Sequence, residues 1–167
     1  VRVILLRHGI AVDRDDPACP ADPERPLTVE GVERTGEAVE GLRVLGVRPK
    51  VVVTSPYRRA VQTAEIASRG LEAAAPERCA HLLPSGDPAA MAEWLSRRAE
   101  DEILCAGHEP NLSLLLACLV LGPGSESFAA LKKAGAACVE VEHPGKTPGE
   151  LLWLLPPRIL RRLGGGA

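Results

Sequence analysis

Three short stretches of the chain carry residues able to do chemistry, and each follows an apolar run. Val3-Ile4-Leu5-Leu6 leads into Arg7-His8-Gly9, and Val51-Val52-Val53-Thr54 leads into Ser55-Pro56-Tyr57-Arg58-Arg59. Ile103-Leu104-Cys105-Ala106 leads into Gly107-His108. Apolar runs of strand length without alternation read as strands buried on both faces of a parallel sheet. Such a sheet takes its ligand in the crevice beyond the carboxyl ends of its strands, so the three stretches converge at one edge. Two imidazoles and at least two guanidiniums then line one cleft, with no compensating cluster of carboxylates. Cations gathered in this way suit a ligand with about two negative charges, such as a phosphoryl group. An arginine fork pairs two of its oxygens at once and stays charged at any working pH.

Helical spacing separates the two adjacent arginines. Ser55 is a good N-cap and Pro56 a good first helical residue, so a helix is expected from Tyr57 to about Arg69, closed by Gly70. Arg58, Gln62, Glu65 and Arg69 form a polar stripe on it, while Arg59, Thr63, Ile66 and Ala67 form a more apolar one. The apolar stripe must face the sheet. Arg59 therefore opens a buried face at the helix mouth, and Arg58 faces solvent. The free N–H groups of that helix start also attract anions.

Other chemistries fit less well. His81 and His143 have no partner at a strand end and read as surface or structural residues. A zinc site would need three or four ligands with thiolate or carboxylate help, whereas His8 and His108 stand beside arginines that repel a cation. Ser55 is accounted for as a cap, and no cysteine falls at a strand end beside a histidine, so neither type is the nucleophile.

The positioning elements follow from turn and cap signals. Ile10–Pro26 is a long, polar, proline-broken loop of the kind that borders a site or is mobile. Thr28 caps a helix reaching about Leu45, with Val32, Gly36, Val39 and Leu42 on its inner face and Gly46 as its stop. A short strand is placed near Cys79–Leu82, and Asp87 caps a helix over Ala89–Arg98. A helix over Asn111–Leu121 follows His108. Ala136–Glu142 and Glu150–Leu155 pair as a hairpin, broken off by Pro156-Pro157. Residues 1–163 form a single domain, and 164–167 a flexible glycine-rich tail. Strands alternating with helices give an α/β fold, in three layers around a mostly parallel sheet, with the hairpin as the candidate antiparallel edge.

Composition bounds the rest. The 167 residues include 46% apolar but only 2% aromatic side chains, so Leu, Val, Ile and Ala must fill the core. The net charge of −2, with no basic stripe, argues against a dedicated nucleic-acid binder. Five scattered cysteines without C-x-x-C pairing suit a reducing cytoplasm. The opening has no signal-peptide pattern, and the longest apolar stretch, Leu112–Leu121, is about half of what a membrane span needs. A cytoplasmic protein with no membrane partner is expected.

At these residues the chain resembles the histidine phosphatase superfamily, which also holds the cofactor-dependent phosphoglycerate mutases. Leu6-Arg7-His8-Gly9 is similar to its Arg-His-Gly signature, and Pro26-Leu27-Thr28-x-x-Gly31 to the entry of its first helix. Ser55-Pro56-x-x-Arg59-Ala60-x-Gln62-Thr63-Ala64 is similar to its second arginine motif, and Gly107-His108 to its second-histidine motif. The Gly-His-Glu-Pro-Asn form and Leu152-Trp153-Leu154-Leu155-Pro156 look most like the SixA phosphohistidine phosphatases. The resemblance implies that His8 attacks phosphorus and becomes phosphohistidine, which water then hydrolyses. Arg7, Arg59 and a cationic His108 would hold the three equatorial oxygens, with no cofactor and no metal. The mutases' glutamate general acid has no matching motif here. Asp87 is the one candidate, and capping a helix explains it more simply. A phosphoramidate nitrogen is protonated more readily than an alkoxide, which favours phosphohistidine on a protein as substrate. The alternatives are a small phosphate ester of a sugar or nucleoside, or a non-catalytic phosphate-binding module, which would be expected to have lost His8 or an arginine.

Overall fold

Strand β1 (Arg2–Arg7) lies inside the sheet because its side chains are apolar on both faces. Val3 and Leu5 enter one core cluster and Ile4 and Leu6 the other, all fully buried. The computed structural model describes residues 1–166. After β1 come α1 (Val29–Val44), β2 (Val51–Thr54), α2 (Arg58–Gly70), β3 (Glu77–Arg78), α3 (Pro88–Ser96) and β4 (Glu102–Gly107). Helix α4 (Asn111–Leu121), β5 (Ala136–Glu140), β6 (Glu150–Leu155) and α5 (Pro157–Leu163) complete the described chain.

The six strands form one sheet in the order β3-β2-β4-β1-β5-β6. The first four run parallel, and β5 and β6 add the antiparallel edge. Helices α1, α2 and α5 cover one face and α3 and α4 the other, giving three layers. The α/β architecture read from the alternation of elements is the one observed. Register then places the chemistry. Arg7 pairs with Gly107 across β1 and β4, so the next residues, His8 and His108, emerge side by side. Thr54 pairs with Ala106 across β2 and β4, which brings Ser55 to the same edge.

Several local expectations need correction. Helix α2 begins at Arg58 with Tyr57 as its cap residue; Ser55 and Pro56 form a turn before it. The strand placed near Cys79–Leu82 lies earlier, at Glu77–Arg78, and Ala80–Leu82 is a 3-10 turn. In α1 the buried face runs through Gly31, Thr35, Ala38, Val39 and Leu42, while Val32 is 42% exposed. The reason lies in the Ile10–Pro26 loop, which crosses α1 at Gly31 and sets the helix rotation: a Cβ there would lie 2.0 Å from the Ile10 carbonyl oxygen. That loop is also less irregular than its composition suggests, with a 3-10 turn at Asp22–Glu24 and a bridge between Ala11 and Leu27. Pro157, expected only to end the hairpin, starts α5, where a missing N–H costs nothing. Backbone N–H groups of Gly164, Gly165 and Gly166 bond back to the last turn of α5, and Ala167 lies outside the described residues. Among the described residues no helix is long and apolar enough to cross a membrane.

Candidate active site

The ends of β1 and β4 and the first turn of α2 deliver Arg7, His8, His108 and Arg59 to one cleft of about 550 Å³. His8 is 5% exposed, Arg59 2% and His108 2%, so three polar side chains are held out of bulk water together. His8 is fixed first. Its Nδ1 lies 2.7 Å from the Gly9 carbonyl oxygen. A carbonyl only accepts, so Nδ1 carries the proton and Nε2 keeps its lone pair. That Nε2 accepts a hydrogen bond from Arg59 Nε at 3.3 Å. Gly9 is required by a helix contact more than by a turn: a Cβ there would lie 2.2 Å from Thr35 Oγ1 on α1. Its N–H donates to Thr63 Oγ1, whose hydroxyl donates to the Arg59 carbonyl, tying the His8 loop to the first turn of α2.

The helical-stripe reading of α2 holds, with Arg59 buried and Arg58 exposed. Arg59 lies over the Tyr57 ring, 5.1 Å from its centroid. The other two nitrogens of its guanidinium go to Asp22, Nη1 to the backbone oxygen at 2.8 Å and Nη2 to the carboxylate at 3.3 Å. The Asp22 carboxylate also pairs with Arg14 and Arg25. Arg7 is held differently. Its Nη1 donates to the Leu131 carbonyl at 2.7 Å, and its buried Nε has no partner among the described residues.

His108 Nε2 lies 2.8 Å from Ser55 Oγ, which also accepts the Tyr57 N–H. Ser55 was expected as a helix cap and instead anchors an imidazole. The other ring nitrogen of His108, Nδ1, is buried without a partner among the described residues, and the ring centroids of His8 and His108 are 5.0 Å apart. Burial pushes His8 down to about 3, assisted by the charges of Arg59, Arg7 and Lys133 and opposed by the Gly9 carbonyl. Burial likewise pushes His108 down to about 3, assisted by His8, Arg59 and Arg7. The cationic His108 implied by the resemblance is therefore not its resting state: the cleft keeps both imidazoles neutral at pH 7.

The expectation of an uncompensated cationic cleft also fails. The lining includes Arg7, Arg14, Arg25, Arg59 and Lys133, but Asp13, Asp15 and Glu109 as well. Burial draws the Asp22 carboxyl upward, yet Arg59, Arg14 and Arg25 outweigh it and hold the group below the usual carboxylate range. Both oxygens of Glu109 accept hydrogen bonds, from Leu131 N–H at 2.8 Å and from Ser113 Oγ at 2.6 Å. Asp87 caps α3 through the N–H groups of Ala89 and Ala90 and does not line the cleft. Asp22 and Leu131 reach the site from loops with no strand-end signal. Glu109 had one, its adjacency to His108.

The chain is similar to known proteins in sequence and in fold. The family model of the histidine phosphatase superfamily (branch 1) matches residues 3–82. An uncharacterized protein of Picosynechococcus sp. strain PCC 7002 is 35% identical over 166 residues, covering 96% of this chain and 99% of that one. The solved structure of the protein histidine phosphatase SixA complexed with tungstate is 27% identical with a TM-score of 0.83, covering 96% of this chain and 99% of the other. A mycobacterial glucosyl-3-phosphoglycerate phosphatase complexed with VO3 shares the fold, with a TM-score of 0.71 at 15% identity over 93% of this chain and 99% of the other.

Proposed function

The chain belongs to the histidine phosphatase superfamily, and from that premise we propose that it removes the phosphoryl group from phosphohistidine on a protein, through a covalent intermediate on His8. The observation that carries this reading is the tautomer of His8: a neutral ring, Nδ1–H locked on Gly9, and the Nε2 lone pair presented among guanidiniums. Nε2 attacks phosphorus in line, the bond from phosphorus to the substrate nitrogen breaks, and the leaving imidazole keeps the electron pair and takes a proton from solvent water. Water then attacks the phosphoryl group on His8 and releases inorganic phosphate. Arg7, Arg59 and His108 hold the equatorial oxygens, where charge spreads in the transition state. A dianionic phosphoryl group would favour the protonated His108, so the second imidazole gains its charge as the substrate binds.

The choice of phosphohistidine rests on the carboxylates. Asp22 is held ionised by three arginines, Glu109 accepts at both oxygens, and Asp87 is spent on a helix start. A leaving nitrogen that is readily protonated makes the least demand on such a site. A small phosphate ester is the second reading, because a cleft of about 550 Å³ has the size of a metabolite site.

Two measurements test the proposal. Brief reaction with labelled phosphoramidate, quenched without acid, should place label on His8, and His8→Ala should abolish turnover in a folded protein. Label on His108 instead would overturn the assignment. Initial rates on a phosphohistidine-bearing protein should exceed those on p-nitrophenyl phosphate and a panel of sugar and nucleoside phosphates; the reverse order would establish the ester reading.

A further inference from the structure

Arg7 ends β1, and its side chain depends on a segment far away in sequence. Its Nη1 donates to the Leu131 carbonyl at 2.7 Å. Leu131 is itself buried, 1% exposed, and directly precedes a tight turn over Lys132–Gly135. That turn is bound to the site along its length. The Ala134 N–H lies 3.1 Å from both the Arg7 and His8 carbonyl oxygens, and Gly135 N–H donates to Lys132 O at 2.7 Å. Ala134 has φ of +58°, a left-handed conformation that a residue with a Cβ adopts at a cost. Such a turn persists only where its surroundings hold it.

The remaining restraint on Leu131 comes from Glu109. Oε1 accepts the Leu131 N–H at 2.8 Å, while Oε2 accepts the Ser113 hydroxyl at 2.6 Å, which fixes the carboxylate against α4. One residue, Leu131, thus receives Glu109 at its N–H and Arg7 at its carbonyl. We propose that Glu109 is a positioning residue for Arg7, acting through the main chain of Leu131 to set the angle of the guanidinium toward the phosphoryl group. The role rests on the reading of Arg7 as a phosphoryl ligand. Glu109 follows His108 directly, so the loop that carries the second imidazole also sets the first arginine, and the two oxyanion donors are registered to each other. A misplacement on the order of 1 Å in such a group can cost on the order of a hundredfold in rate.

The hydrogen-bond geometry, more than the charge, defines this role, and that separates it from a catalytic acid. Glu109→Gln keeps an oxygen for the Leu131 N–H, and the Ser113 hydroxyl can turn to accept from the new amide. Glu109→Asp keeps the charge but is one methylene too short to reach. Tungstate affinity by titration calorimetry serves as the readout, with kcat/KM on p-nitrophenyl phosphate beside it. Glu109→Asp should weaken tungstate and lower kcat/KM by about tenfold, and Glu109→Gln should recover most of that loss. In an Arg7→Ala background, Glu109→Asp should cost nothing further. A Glu109→Gln loss as large as that of Glu109→Asp would overturn the proposal in favour of a charge or proton-transfer role. Additive losses in the double variant would show that Glu109 does not act through Arg7. Should Arg7→Ala leave tungstate binding intact, the phosphoryl reading of Arg7 fails and the link falls with it. A damaging Arg7→Ala beside a silent Glu109→Asp overturns the link alone.

Discussion

Arg7 and Arg59 bring the same planar fork to the same cleft, and the protein holds them by different means. Arg7 is set by main chain: the end of a central strand, the Leu131 carbonyl, and a strained turn bound to the backbone of Arg7 and His8. Arg59 is set by one loop residue, Asp22, whose backbone oxygen and carboxylate take one nitrogen each while Arg14 and Arg25 share the carboxylate. Among the described residues the first arrangement has no carboxylate hydrogen-bonded to the fork. The second occupies the fork with a competitor, and at the same time parks the His8 lone pair on Arg59 Nε. The comparison teaches that one arginine is held with its fork on main chain alone and the other rests partly against a carboxylate. Burial weakens the charged form of both, and a nearby carboxylate opposes it in each case, Glu109 for Arg7 and Asp22 for Arg59.

The largest effect expected from breaking this pair is loss of Arg59. Arg59→Ala removes two charge-assisted bonds made most strongly in the transition state, worth about 3 kcal/mol, and should lower kcat/KM by on the order of a hundredfold or more. Asp22→Asn sharpens the contrast: by weakening the competitor it should shift KM a few-fold, far less than the loss of Arg59. Equal damage from both variants would mean that Asp22 supports Arg59 in the complex and does not compete there.

Acid comes next. His8 and His108 are both depressed to about 3 in the fold, against about 6.5 in an unfolded chain. The unfolded state therefore binds more protons below pH 6.5. The stability these groups contribute is present above pH 6.5 and is lost as the pH falls toward 3, by at most about 2.7 kcal/mol per pH unit for the pair. Imidazole C–H resonances of His8 and His108 should stay at their neutral positions down to pH 5. A midpoint near 6.5 for either ring would show that the cleft is wetter than its burial implies.

The smallest effect belongs to Arg58, exposed on the polar stripe of α2. Arg58→Ala should leave kcat/KM within about twofold, as for other exposed substitutions. If it proved more damaging than Arg59→Ala, α2 would be rotated from its observed position.

Much of this site could be read before the fold was seen, for a physical reason. Strands buried on both faces need unbroken apolar runs, so Val3–Leu6, Val51–Val53 and Ile103–Ala106 announce themselves, and polar residues just beyond them fall at the edge where parallel sheets bind ligands. The amphipathic spacing of α2 likewise separated Arg59 from Arg58, because burial of one stripe is a local property. Expectations were weakest at turns and rotations. Ser55 looked like a cap because Ser-Pro suits a helix start, yet the register of β2 against β4 brings its hydroxyl to His108. Val32 looked buried because its spacing to Gly36, Val39 and Leu42 suits one helix face, yet the crossing of the Ile10 loop at Gly31 turns it outward.

By itself, then, the sequence determined the α/β layering and the convergence of Arg7, His8, Arg59 and His108, since each depends on periodicity or on position relative to an apolar run. Only the tertiary structure decided which partners hold them. The pairing of Arg59 with Asp22 spans 37 positions and that of Arg7 with Leu131 spans 124, and both partners sit in loops whose paths no local spacing records. The protonation of the imidazoles was decided there too. His8 and His108 have ordinary side chains, and what makes both neutral is burial beside guanidiniums that the folded sheet edge brings together.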